Sequence, residues 1–109
     1  MKFELIVALI NSGFSDVVMD AAREVGARGG TIVHARGTGN EAIGKKYGVV
    51  ITPDKEMILI LVTEDIKDAV LSAIYKAAGF ATDGNGIAFT LPVDDVTGLR
   101  ISKTSEENK

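Results

Sequence analysis

The sequence predicts an α+β fold in which four strands and two helices follow one another as βαββαβ, both helices lying on one face of an antiparallel sheet. Three observations carry this. Apolar stretches of strand length recur at 2–11, 31–36, 56–63 and 87–93. Stretches with a helical apolar period separate the first from the second and the third from the fourth. Glycine clusters punctuate the junctions.

Residues 2–11, KFELIVALIN, are too short for a buried helix and rich in Leu, Ile and Val. Phe3, Leu5, Val7 and Leu9 share one face, with Glu4, Ile6, Ala8 and Ile10 on the other. Both faces are apolar beyond Glu4, so this strand is central and covered on two sides. From Ser15 to Val25, Val18, Ala21, Ala22 and Val25 make one helical stripe. Ser15 is expected to cap the start, with Asp16 favouring the first turn, and Gly26 stops the helix. Residues 31–36, TIVHAR, form the second strand. Residues 37–48 hold four glycines and no clear period, which predicts a loop with one helical turn at Glu41–Lys46. Val49–Ile51 is a short strand candidate, and Pro53-Asp54 marks a turn. Glu56–Thr63 is again apolar on both faces. Thr63 or Asp65 caps the second helix, whose stripe is Ile66, Val70, Ala73, Ile74 and Ala77, and Gly79 ends it. After the glycine-rich loop 79–86 comes the last strand, Ile87–Val93, with Pro92 predicting that its end lies on an edge or outside the hydrogen-bonded ladder.

This order is that of the ferredoxin-like double split βαβ unit. The sheet face without helices is then bare, yet strands one and three are apolar on that side too. A bare apolar face of that size is rarely left in water, which predicts packing of sheets from several subunits. At 109 residues the chain makes one domain, taken as 1–101, with a polar tail over 102–109.

Composition narrows the function. With no cysteine, disulfides, thiolate metal sites and thiol catalysis are excluded. A net charge of −3 argues against nucleic acid as the main partner. No signal peptide is visible, and no segment has the roughly 18 unbroken apolar residues of a membrane span. The expected location is cytoplasmic. The single histidine, His34, has no second histidine or cysteine to complete a soft metal site. No serine stands in a G-x-S-x-G elbow. The carboxylate pairs Glu64/Asp65 and Asp94/Asp95 are explained by a helix start and a turn. No catalytic residue and no metal ligand is therefore assigned, and no enzyme is expected. The glycine loops Gly37-Thr38-Gly39 and Gly84-Asn85-Gly86 let backbone N–H groups approach an anion, although neither matches a P-loop or G-x-G-x-x-G.

The segment Thr82–Val93, TDGNGIAFTLPV, resembles the Gly-Asp-Gly-Lys-Ile-Phe…Leu-Pro-Val stretch of the P-II nitrogen-regulatory signalling proteins. The match runs without a gap from Ile66 to Phe89. Thr31 and Gly37-Thr38-Gly39 resemble the family's strand-two threonine and the Gly-Phe-Gly at the base of its T-loop. The resemblance implies a homotrimer with sheets facing inward and an anionic effector in the clefts between subunits. That effector is an adenine nucleotide: ADP, AMP or ATP. It would touch Thr31, Gly37, Thr38, Gly39, Gly84, Asn85, Gly86 and Arg100. The same resemblance implies a target protein, a transporter or an enzyme, gripped by the loop Gly37–Pro53 through Glu41, Lys45, Lys46 and Tyr47.

The departures are specific. The loop is far shorter than the family's T-loop and lacks its modified tyrosine. The lysine after Gly-Asp-Gly falls at Ile87, the first C-terminal arginine at Gly98, and the magnesium-binding glutamine at Glu41. The lysine that holds 2-oxoglutarate falls near Met57, with Lys55 a substitute two residues away. A triphosphate needs several positive contacts, so these losses favour ADP, AMP or another small anion, or no nucleotide at all, over ATP. A small enzyme such as an acylphosphatase, or a metal-tolerance protein, could use the same fold. Residues 11–14 lack the arginine the former needs, and the metal ligands for the latter are carboxylates alone.

Overall fold

The computed structural model describes residues 2–38, 53–79 and 82–98. Six elements are seen: β1 (Phe3–Asn11), α1 (Ser15–Glu24), β2 (Thr31–Arg36), β3 (Asp54–Thr63), α2 (Glu64–Ala78) and β4 (Ile87–Val93). The sheet order is β2-β3-β1-β4, with every pairing antiparallel. The strand-apolar stretches thus assemble into the α+β, ferredoxin-like arrangement, with β1 central and Pro92 on the edge strand β4.

Strand alternation decides where the core sits. Ile6, Ala8 and Ile10 of β1 share a face with Ile58, Ile60 and Val62 of β3, aligned by the pairs Ile6↔Ile60 and Ala8↔Ile58. All six are buried against Val18, Met19 and Ala22 of α1 and Val70, Ile74 and Ala78 of α2. The turn out of α1 closes with Gly26 at φ +111°, in the left-handed region that glycine adopts without strain. At Gly30 the chain passes so close to the sheet that a Cβ would stand 2.9 Å from the Leu59 carbonyl oxygen.

The opposite face carries Phe3, Leu5, Val7 and Leu9 beside Met57, Leu59 and Leu61, with β4 adding Ile87, Phe89 and Leu91. Those three side chains of β4 are 59%, 44% and 48% exposed, so the apolar face expected from the alternation of β1 and β3 is open in the single chain.

Three local expectations need correction. Ser15 does not cap α1; the N-cap is Phe14, without a side-chain bond, and the Ser15 hydroxyl points to Glu56. Thr63 is the N-cap of α2 but makes no capping bond either, its Glu64 N–H being displaced towards the Lys2 carbonyl (3.0 Å). β3 begins at Asp54 rather than Glu56, because β2 continues to Arg36 and pairs Ala35 with Lys55 and Arg36 with Asp54. The helical turn at Glu41–Lys46 and the strand candidate Val49–Ile51 lie outside the described residues.

Candidate functional site

One end of the sheet collects both glycine loops. Asn11 ends β1, pairs across the sheet with Lys55, and is 2% exposed. Its backbone N–H donates to the Gly84 carbonyl (2.8 Å), and its Nδ2 donates to the Asp83 carbonyl (2.8 Å). The Lys55 Nζ donates to Asn11 Oδ1 at 2.6 Å. The Lys55 stem runs under Gly37, where a Cβ would meet Lys55 Cγ and Cε at 3.1 Å. Gly37 N–H donates to the Pro53 carbonyl (2.8 Å), closing the base of the segment between β2 and β3. Thr38 follows directly and is exposed. Gly37, Lys55 and the loop Thr82–Gly86 are therefore linked at one end of the sheet through the buried Asn11. Burial lowers the Lys55 pKa, because a partly desolvated ammonium is disfavoured.

The glycines here do something other than offer N–H groups. Asn85 N–H donates to the Thr82 carbonyl (2.9 Å) and Gly86 N–H to the Ala78 carbonyl (2.7 Å). With Gly37 N–H also engaged, three of the amide donors expected to meet an anion are used within the chain. The need for glycine is steric. A Cβ at Gly86 would stand 2.5 Å from Ile10 Cγ2, and one at Gly84 would stand 2.7 Å from Ala78 Cβ. Asn85 takes the left-handed turn position at φ +44°, which asparagine tolerates.

One residue further along β3, the side chain turns to the helix face. Glu56 Oε1 accepts the Gly13 N–H (3.1 Å) and the Ser15 hydroxyl, so the start of α1 is capped from the sheet. Glu56 Oε2 lies 3.9 Å from His34 Nδ1, on a histidine side chain that is 87% exposed. The Ser15 hydroxyl bond is the largest influence lowering the Glu56 pKa; burial opposes it, while Gly13 N–H and His34 assist. His34 is thus a wet strand residue flanking a structural carboxylate.

Not all the expected ligand residues meet within one chain. Thr31 opens β2 and Gly37 follows its end, a separation of about 20 Å at the rise of an extended strand. Thr31 pairs with Leu59, midway along β3 and four residues from Lys55, away from the end that holds Gly84. Gly39, Glu41, Lys45, Lys46, Tyr47 and Arg100 lie outside the described residues. Asn11 stands in no motif of the sequence, and Lys55 enters there only as a substitute for the lysine expected near Met57. The available signal is polar residues, Asn11 closing β1 and Asp54, Lys55 and Glu56 opening β3, beside long apolar stretches.

A small ferredoxin-like α+β domain with an open apolar sheet face and two loops joined at a lysine suits binding and assembly. Comparison with known proteins makes this specific. The model of the family "Nitrogen regulatory protein P-II" matches residues 3–103. The Azospirillum brasilense nitrogen regulatory protein P-II is 31% identical over 101 residues, covering 87% of this chain and 89% of that protein. Its counterpart in Rhizobium meliloti (strain 1021) is 31% identical over 105 residues, covering 91% and 93%. Among solved structures, Arabidopsis thaliana PII bound to citrate superimposes with a TM-score of 0.66 at 27% identity, covering 87% of this chain and 78% of that one. A putative PII-like signaling protein from Thermus thermophilus shares the fold, with a TM-score of 0.64 at 19% identity and coverage of 85% and 87%. The chain belongs to the P-II family of nitrogen regulatory proteins. Members of that family are signal transducers rather than enzymes, and they work as trimers that bind small effectors and target proteins.

Proposed function

We propose that this protein is a cytoplasmic homotrimeric regulator that binds a small anionic effector between subunits and controls a partner protein through its segment Gly37–Pro53. The observation that carries the reading is the convergence of Gly37, Lys55 and Gly84–Gly86 at one end of the sheet. An effector seated there touches the base of the partner-docking segment and the loop before β4 at once. The separation of Thr31 from Gly37 supports a cleft shared between chains, since a compact effector reaches both only if a neighbouring subunit supplies one of them. The open sheet face supports the same assembly, its apolar side chains being covered when the sheets face inward.

Recognition of charge falls to side chains, because the Gly37, Asn85 and Gly86 N–H groups are engaged within the chain. Lys55 and the family-matched Arg100 are the two cations assigned to it. With Ile87 and Gly98 where the family carries a lysine and an arginine, ADP or AMP is favoured over ATP. The citrate held by the Arabidopsis relative makes a polycarboxylate a further anion to test.

A thermal-shift panel of AMP, ADP, ATP, 2-oxoglutarate and citrate tests the reading. An effector at a hundred times its Kd stabilises by about 2.7 kcal/mol, which raises Tm by several degrees for a domain of this size. Lys55→Met or Arg100→Ala should weaken binding roughly tenfold or more, since a charge-assisted hydrogen bond contributes about 1.5–3 kcal/mol. Thr31→Val should cost less. No shift with any of the five compounds counts against an effector of these classes. Deleting Glu41–Lys46 should abolish capture of the partner while leaving the trimer folded; capture that survives the deletion removes the docking role.

A further inference from the structure

We propose that Asn11 is a positioning residue that joins the Lys55 ammonium to the loop Thr82–Gly86, so that a change at Lys55 is transmitted to that loop and to the base of the Gly37 segment together. The carboxamide has one orientation open to it. An ammonium carries donors only, so Asn11 Oδ1 must face Lys55; a peptide carbonyl only accepts, so Nδ2 must face Asp83. The observed bonds, 2.6 Å to Lys55 Nζ and 2.8 Å to the Asp83 oxygen, satisfy both.

The two bonds share one conjugated amide. Drawing electron density towards Oδ1 makes the Nδ2 protons better donors, so the bonds strengthen each other in a buried setting. Asn11 is 2% exposed, and water therefore does not replace either partner freely. The backbone adds a third tie, from Asn11 N–H to the Gly84 oxygen. On the far side, the Lys55 stem is packed under Gly37 at distances that leave no room for a Cβ to be added without displacement. An anion that takes the Lys55 ammonium away from Asn11 thus loosens the grip on Asp83 and shifts the stem beneath Gly37 in the same event. Asparagine is the smallest side chain that carries an acceptor and a donor on separate atoms. Aspartate keeps the acceptor for Lys55 and loses the donor for Asp83, which allows the two ties to be cut separately.

This role rests on reading this end of the sheet as the effector site, but the two ideas fail separately. The test is residue-resolved amide exchange on the ligand-free full chain, for wild type, Lys55→Met and Asn11→Asp. Coupling predicts that Lys55→Met speeds exchange at Asn85 and Gly86 by about three- to tenfold, the consequence of weakening one hydrogen bond. Asn11→Asp should do the same at those amides while Lys55 stays held and Gly37 keeps its wild-type rate. Amides of Ile6 and Ala8 in the middle of β1 should be unchanged in both variants, which separates the effect from loss of stability. Exchange at Asn85 and Gly86 within twofold of wild type in Lys55→Met, with only Gly37 altered, overturns the coupling. A titration with ADP then addresses the site. Resonance shifts at both Gly37 and Gly86 in wild type, reduced to Gly37 alone in Asn11→Asp, support effector and coupling together. Absence of any ADP response speaks against ADP as the effector, while the ligand-free exchange rates still decide the coupling.

Discussion

Glu56 and Gly86 show how single side chains hold this molecule. Glu56 sits in a strand, yet its carboxylate serves a helix start by accepting from Gly13 N–H and the Ser15 hydroxyl. Its folded pKa lies below the ordinary carboxylate value, the Ser15 bond being the first cause. Such a group adds stability at pH values above its unfolded pKa, and that stability is lost as pH falls through the lower, folded value. Ser15→Ala should therefore raise the Glu56 pKa and shift acid unfolding to higher pH. Carboxyl-carbon NMR titration and unfolding followed from pH 7 downward check both parts; an unmoved Glu56 titration would deny Ser15 its role. At Gly86 the demand is for space. Gly86→Ala sets a Cβ against Ile10 Cγ2 and the Ala78 oxygen, 2.5 and 2.6 Å away, and overpacking of this kind costs about 1–3 kcal/mol. Urea unfolding should show that loss in the apo protein, with no effector present.

At the scale of elements, β3 does the most varied work. Its even-numbered side chains Ile58, Ile60 and Val62 build the core, while Met57, Leu59 and Leu61 belong to the open face. Its first residues carry polar groups instead: Lys55 towards Asn11 and Glu56 towards α1. The helices depend on the sheet more than on their own caps, since neither N-cap residue, Phe14 of α1 or Thr63 of α2, makes a side-chain capping bond. What seats α2 is the stripe Val70, Ile74 and Ala78, all buried. Ile74→Ala should cost about 2–5 kcal/mol, the usual range for truncating a buried isoleucine. Calorimetry would register a fall in Tm of several degrees or more; a fall under two degrees would mean that α2 is not held by this stripe.

For the whole molecule the open sheet face is the feature on which the proposed trimer is tested. Ile87, Phe89 and Leu91 are each more than two-fifths exposed on an edge strand next to the apolar row of β1. Burying such surface gains roughly 25 cal/mol per Å², and a charge placed within it has no partner. Phe89→Asp with Leu91→Asp should convert the assembly to single chains, read by light scattering as a species of 11.5 kDa. The folded domain should survive, because these side chains point away from the helices. If wild type itself scatters as a single chain at micromolar concentration, the trimer is refuted directly.

Element order, the strand and helix periods and the two-sided apolarity of β1 and β3 are legible in the amino-acid order alone. All of these arise from interactions between near neighbours along the chain or from simple alternation, so they can be read in one dimension. That order also carries the family resemblance, in Thr82–Val93 above all. The tertiary structure alone decided where the polar ends of strands meet. Asn11 and Lys55 stand 44 residues apart, and Asn11 and Asp83 stand 72 apart. Only the antiparallel register of β1 with β3, and the return of the chain after α2, brings them within hydrogen-bond reach. The roles of Gly84 and Gly86 were likewise hidden, because the atoms that exclude a Cβ there belong to Ala78 and Ile10. A glycine written in a sequence signals freedom of the backbone; whether it is kept for an anion or for a crowded crossing depends on neighbours that folding supplies.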